Sequence, residues 1–297
     1  MHLHRASMTR AVILAMGLNF LIFALELVGS YVAQSLALLA DSLHNLSDFA
    51  TLVLALIATR LASRAATATR TFGYLRSEVL VAFVNALTLV LVGLYLVIEG
   101  TRRAMEPQEV EGVAVIAFGA IGLLANVAST LLLRPHARAD LNARSAMLHL
   151  ATDAAESGAV VLGGILLVLG VPLVDPLLSI GIGLFTVKGA WDILSEAAQI
   201  LVEGAPRGLS ADDVAKCLKE VEGVLDVHHV HVWAISSTYH AASAHVVVPD
   251  QMVGFSHELI ERMARRLREQ CGIKHPTFQI EVAECGQGRI DSCPDGK

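Results

Sequence analysis

Six stretches of the chain, at 11–32, 37–59, 78–99, 113–133, 145–169 and 174–194, are apolar over most of their length. A helix needs about 20 such residues to cross a hydrocarbon core. Inside a bilayer each segment must satisfy its own backbone N–H and C=O groups, so these stretches are expected to be six membrane-spanning helices. The composition agrees: 54% of the 297 residues are hydrophobic, 17% are charged, and the mean hydropathy is +0.59. A net charge of −6 offers no basic footprint for nucleic acid.

Charge is unevenly spread. Residues 1–205 carry 12 Lys/Arg and 15 Asp/Glu, whereas the 92 residues of 206–297 carry 10 and 13. The chain therefore divides into a transmembrane domain, 1–205, and a water-soluble tail, 206–297. Arg5, Arg10, Arg60, Arg64, Arg70, Arg76, Arg134, Arg138 and Arg144 fall on one side of the spans, and only Arg102 and Arg103 on the other. The positive-inside rule then places both termini in the cytoplasm, with the first apolar run retained as a span. All four cysteines lie in the tail, without CxxC spacing. That suits a reducing compartment and no disulfide framework.

Two spans carry the same pattern, His44-x-x-x-Asp48 in the second and His149-x-x-x-Asp153 in the fifth. A spacing of four puts each pair on one helix face. One such pair serves equally well as a hydrogen bond that packs helices. Two on separate spans point to a tetrahedral set of two imidazoles and two carboxylates, a geometry Zn²⁺ accepts. Such a set leaves no open position for an activated water, so it holds a cation without hydrolytic chemistry. Missing thiolates argue against Cu(I), and two imidazoles argue against Mg²⁺ and Ca²⁺. Without metal, two carboxylates close together in a poor dielectric must share protons with the imidazoles, so metal and proton compete for one site. Asp41, one turn before His44, is placed to line the approach. Glu26, Asn19, Asn45, Asn85, Asn126, Glu156 and Ser157 are candidates for a hydrated cavity or for bonds between helices. Asp175, beside Pro176, reads as a cap at a helix start.

These residues resemble the cation diffusion facilitators, in particular the bacterial zinc/cadmium/cobalt efflux type. The resemblance is carried by Ser35-Leu-Ala-Leu-Leu-Ala-Asp-Ser-Leu-His-Asn-Leu-Ser-Asp48, Thr71-Phe-Gly-Tyr-Leu-Arg-Ser-Glu78 and Leu141-Asn-Ala-Arg-Ser-Ala-Met-Leu-His-Leu-Ala-Thr-Asp153. In the tail it is carried by His228-His-Val-His-Val-Trp233 and Ser243-Ala-His-Val-Val-Val248. It implies a homodimer in the cytoplasmic membrane of a prokaryote that exchanges metal for protons by alternating access. It puts the transport site on His44, Asp48, His149 and Asp153. It also implies Zn²⁺ as cargo, often with Cd²⁺, while Co²⁺ and Fe²⁺ stay open. Some members bind a further metal between spans two and three. Here Arg60–Arg70 offers no Asp or His, so that site is expected to be absent. Only His136 stands between spans four and five, where many eukaryotic relatives carry a His-rich loop.

The tail reads helix, strand, strand, helix, strand over 209–285. Ser210 and Asp213 form a capping-box pattern for a helical run ending near Gly223. Strands are expected at Val227–Ser236, Ala241–Val248 and Thr277–Val282, and a helix at Phe255–Cys271. The fold class is therefore a six-helix membrane domain plus a cytoplasmic αββαβ domain of α+β type, similar to the family's metallochaperone-like domain. Seven of the twelve histidines lie here. Strand alternation puts His229 and His231 on one face and His228 on the other. Matching the family's cytoplasmic metal sites gives His228 and His245 as ligands, then His257 and Glu281, with His275 and the Cys285 and Cys293 thiolates as further options. Metal there is expected to regulate, as well as to steady, the tail.

Two other classes fit these residues less well. A membrane metalloprotease wants His-Glu-x-x-His and an open zinc position, and neither is visible. A metal sensor that signals through the tail has no kinase, nucleotide-binding or DNA-binding motif to support it, though nothing in the residues excludes it. No Gly-x-x-x-x-Gly-Lys-Ser/Thr loop appears, so nucleotide is not an expected partner.

Overall fold

The computed structural model describes residues 2–62, 64–134, 141–250 and 252–282. Six long helices come first: α1 (His2–Ala33), α2 (Leu36–Ala62), α3 (Ser77–Met105), α4 (Gly112–Leu133), α5 (Leu141–Val168) and α6 (Val174–Leu201). Then follow α7 (Ala211–Lys219), β1 (Asp226–Ser236), β2 (Tyr239–Val247), α8 (Val253–Cys271) and β3 (Ile273–Glu281). Five helices, α2 to α6, are long and apolar enough to span a membrane, and α1 contributes a shorter apolar stretch, Gly17–Ala33, among the described residues. Leucines and isoleucines such as Leu91, Ile98, Leu124 and Leu162 stand exposed on these helices. In water that would be a liability, whereas lipid covers such faces.

The chain forms two compact units. One combines Met1–Ile57 with Val84–Leu194, and the other combines Ala58–Phe83 with Ser195–Lys297. In the first, backbones approach closely at glycines. A Cβ at Gly93 on α3 would stand 2.8 Å from the Gly183 carbonyl of α6, and one at Gly112 on α4 would stand 2.8 Å from the Gly164 carbonyl of α5. Small residues replace the hydrophobic driving force that lipid cannot supply between helices.

The start of α2 is held by a residue 140 positions away. The buried Asp175 carboxylate accepts from Ser35 Oγ at 2.5 Å, from Leu36 N at 2.9 Å and from Ala37 N at 3.2 Å. Asp175 therefore caps α2, not its own helix α6 as its place beside Pro176 suggested. An acid at a helix N-terminus satisfies orphan N–H donors and favourably meets the helix dipole.

In the second unit, β1 pairs antiparallel with β2, and β2 pairs parallel with β3, reached through α8. One face of this sheet and the inward faces of α7 and α8 share a core around Val214, Leu218, Val227, Val230, Leu259, Met263 and Leu267. The αββαβ order matches the expectation, and Ser210 with Asp213 forms the full capping box. Helix α7 ends at Lys219, four residues before Gly223, which takes a left-handed φ of 97°. Strands β2 and β3 begin earlier than their alternation indicated, because pairing with a neighbour extends them. Pro276 is tolerated in β3 because that strand is an edge.

Removing the Asp175 carboxylate leaves the Ser35 hydroxyl and two α2 amides unpaired in a buried place. Asp175→Ala is expected to cost about 3 kcal/mol, and Asp175→Asn less, read as thermal unfolding of the detergent-solubilised protein. An unchanged midpoint for Asp175→Ala would contradict the cap.

Candidate metal centre

Spacing of four places His44 and Asp48 on one face of α2, and His149 and Asp153 on one face of α5. The two faces meet and cross. His44 Nε2 lies 3.6 Å from Asp48 Oδ2 and 3.6 Å from Asp153 Oδ1 on the other helix. His149 Nε2 lies 3.4 Å from Asp48 Oδ2, and its Nδ1 lies 3.8 Å from Asp153 Oδ1. Among the described residues, His44 Nε2, Asp48 Oδ2 and Asp153 Oδ1 are buried without a hydrogen-bond partner.

Good hydrogen bonds from nitrogen to oxygen run to about 3.2 Å, and all four of these separations are longer. Ligands about 2.0–2.1 Å from a tetrahedral metal stand roughly 3.3–3.4 Å apart. His44, Asp48 and Asp153 each offer one ligand atom within 4.8 Å of the others, whereas His149 lies beside this group and turns Nε2 to Asp48 and Nδ1 to Asp153. His149 is half-exposed, whereas Asp153 is almost fully buried, so the set is accessible from one side.

Glu156, one of the residues expected to line a cavity or bond across helices, approaches the edge of this group. It sits one turn beyond Asp153 on α5, and its Oε2 lies 4.0 Å from His44 Nε2, buried and without a hydrogen-bond partner among the described residues. The available signal was its spacing of three from Asp153. Asp41 is buried on α2 at 2% exposure but does not join this group.

A second group forms in the tail. His228 on β1 stands directly opposite His245 on β2, and Glu281 at the end of β3 reaches both. His228 Nε2 is 3.3 Å from Glu281 Oε2, and His245 Nδ1 is 2.9 Å from Glu281 Oε1. His257 lies elsewhere, exposed on α8 with Glu261 at 3.7 Å. His275 lies six residues before Glu281 on β3, about 20 Å in a strand, with its ring 5.3 Å from Phe72. The structure brings neither to the His228–His245–Glu281 group. Cys285, Cys293 and His136 lie outside the described residues. Cys217 and Cys271 form no disulfide, and burial pushes the Cys271 thiol up to about 12.

Simple alternation fails along β1. The register shifts between His228 and His231, and His229 takes a left-handed φ of 49°. This bulge turns two consecutive histidines toward β2. The His228 ring lies 5.3 Å from that of His245, and the His229 ring 4.7 Å from it. A bulge cannot be read from a pattern of period two.

Burial, before any other cause, holds His245 below the usual imidazole range, and it does the same for His231 and His240. A histidine whose folded value is depressed leaves the unfolded chain to bind the proton first. Stability is then full above the unfolded value, about 6.5, and is lost as pH falls below it. With metal stripped by chelator, the tail should unfold more readily at pH 5 than at pH 7. Trp233 fluorescence in a Trp191→Phe background reports this, and equal stability at both values would contradict the assignment.

Comparison with known proteins accounts for both parts of the chain. Residues 12–202 match the cation efflux transmembrane domain, and residues 206–283 match the cation efflux protein cytoplasmic domain. A cadmium, cobalt and zinc/H⁺–K⁺ antiporter of Bacillus subtilis is 34% identical over 87% of this chain and 84% of its own length. The zinc transporter ZitB of Escherichia coli is 36% identical over 96% and 91%. The metal cation efflux system protein CzcD of Cupriavidus metallidurans is 32% identical over 96% and 90%. Two domain matches in the right order and similarity along nearly the whole chain establish that it belongs to the cation efflux family, the cation diffusion facilitators, which are transporters and not enzymes.

Proposed function

We propose that this protein exports a divalent transition metal, Zn²⁺ foremost, from the cytoplasm in exchange for protons. The reading is carried by one observation: His44, Asp48 and Asp153 offer ligand atoms within 4.8 Å of one another from two membrane helices, with His149 Nε2 3.4 Å from Asp48. Two neutral imidazoles and two carboxylates around Zn²⁺ make a neutral centre that hydrocarbon tolerates. Once the metal leaves, the same carboxylates and imidazoles must take up protons. Metal rebinding expels them, which couples the two flows. His is the natural proton carrier near neutral pH. The names of the relatives, which specify zinc, cadmium, cobalt and H⁺–K⁺ exchange, support this cargo and this coupling. Cd²⁺ and Co²⁺ fit the same donors, and Fe²⁺ fits them less well.

The protein works as a homodimer in the cytoplasmic membrane with both termini inside, and the tail's match to a dimer-forming domain supports that assembly. His228, His245 and Glu281 bind metal in the tail and draw the two tails together when cytoplasmic metal rises. A tail separation that ignores metal would exclude that role.

Zinc uptake into proteoliposomes under an imposed pH gradient tests the main claim. Wild type should move zinc in proportion to the gradient, and Asp153→Ala should fall to the rate of protein-free vesicles. Wild-type flux indifferent to the gradient would refute proton exchange. Undiminished flux in Asp153→Ala would refute the site. Bound zinc with no flux at all would favour the sensor reading.

A further inference from the structure

Two histidines of β1, His229 and His231, stay outside the His228–His245–Glu281 group. In a regular strand, side chains two residues apart share a face but stand roughly 6.6–6.8 Å apart along it. The bulge closes that gap. His229 takes a left-handed φ of 49°, and the register shifts between His228 and His231. The two Nε2 atoms then lie 3.3 Å apart, with the rings edge to face at 87° and their centroids 4.7 Å apart. A non-glycine residue in that backbone region is held there by its surroundings against a steric cost. Both residues are partly exposed.

Without metal, such a pair can share one N–H. With both protons on Nδ1 instead, two bare Nε2 lone pairs face one cation, and no proton has to leave the protein. The 3.3 Å separation falls on the edge of roughly 3.3–3.4 Å expected for ligands about 2.0–2.1 Å from a tetrahedral ion. His231 also lines a cavity of about 530 Å³ with Glu203, Trp233 and Ser243, and Ser243 is its partner on β2. That cavity has room for the waters that complete a set of two protein ligands. Imidazole without thiolate suits Zn²⁺, Ni²⁺ and Cu²⁺. Two neutral rings leave the charge of the ion unbalanced, whereas Glu281 brings a carboxylate to the neighbouring group. The pair is therefore the weaker ligand set and fills after the carboxylate-bearing ones.

We infer that His229 and His231 form a second metal site in the tail, open to water and suited to a divalent cation such as Zn²⁺ or Cu²⁺. It is separate from the His228–His245–Glu281 group and depends neither on that group nor on the transport cycle proposed above. The His229 ring stands 4.7 Å from the His245 ring, so the open site adjoins the tighter one.

Equilibrium dialysis of the full-length protein against Zn²⁺ counts ions per chain. His231→Gln and His229→Asn should each bind about one zinc fewer than wild type at saturation, with the tighter steps unchanged. Asn tolerates the left-handed backbone at 229, so the bulge is kept. His228→Ala should lose a tighter step and retain the weak one. Trp233, on the same cavity as His231, gives a second readout, because Cu²⁺ bound beside it quenches its fluorescence. In a Trp191→Phe background, His231→Gln should raise the Cu²⁺ needed for that quenching by more than the roughly 10-fold loss seen when a group that only orients a ligand is removed. A wild type with no weak step, undiminished zinc in both pair variants, or quenching that His231→Gln leaves unmoved means that the two rings only bond to each other, and overturns the site. Loss of the weak step in His228→Ala overturns its separateness.

Discussion

A carboxylate inside hydrocarbon has to be answered by positive charge, and the stretches Leu36–Thr59 of α2 and Met147–Val168 of α5 hold no lysine or arginine to do so. Asp48 and Asp153 are placed where only an imidazole, a proton or a metal can answer them. The two acids must face each other across α2 and α5. The imidazoles must reach both acids, and the approach must stay open on one side. The crossed geometry meets all three conditions, since each histidine contacts the aspartate of the opposite helix as well as its own.

Holding two anionic groups together requires a scaffold that does not relax away from them. The end of α2 nearest Asp41 is tied to α6 by the Asp175 carboxylate. Glycine contacts join α4 to α5 and α3 to α6 at backbone distance. A change of state that moves α2 must therefore either carry α6 with it or break a buried carboxylate cap. The Glu26–Asn45 hydrogen bond joins α1 to the same turn of α2, one residue from His44.

Much of this was legible in the residues. The spans, the His-x-x-x-Asp pairs and the αββαβ tail follow from periodicities of one element each, which survive without knowledge of partners. Interactions between distant elements stayed hidden. Asp175 looked like a local cap because its helix start was visible and the start of α2, 140 residues away, was not. The approach of Glu156 to His44 on α2 is likewise a contact between helices that spacing along α5 does not reveal. The β1 bulge at His229 defeated strict alternation. His257 and His275 entered through the family resemblance, and their distance from Glu281 depends on strand register and helix placement.

The most direct test of the central claim is X-ray absorption at the zinc edge. It uses the full-length protein carrying His228→Ala and His245→Ala, so that zinc reports on the membrane centre. The account predicts about four nitrogen or oxygen neighbours near 2.0 Å, with the outer-shell scattering of two imidazoles. A six-oxygen shell without imidazole scattering, or a protein that retains no zinc, would contradict it.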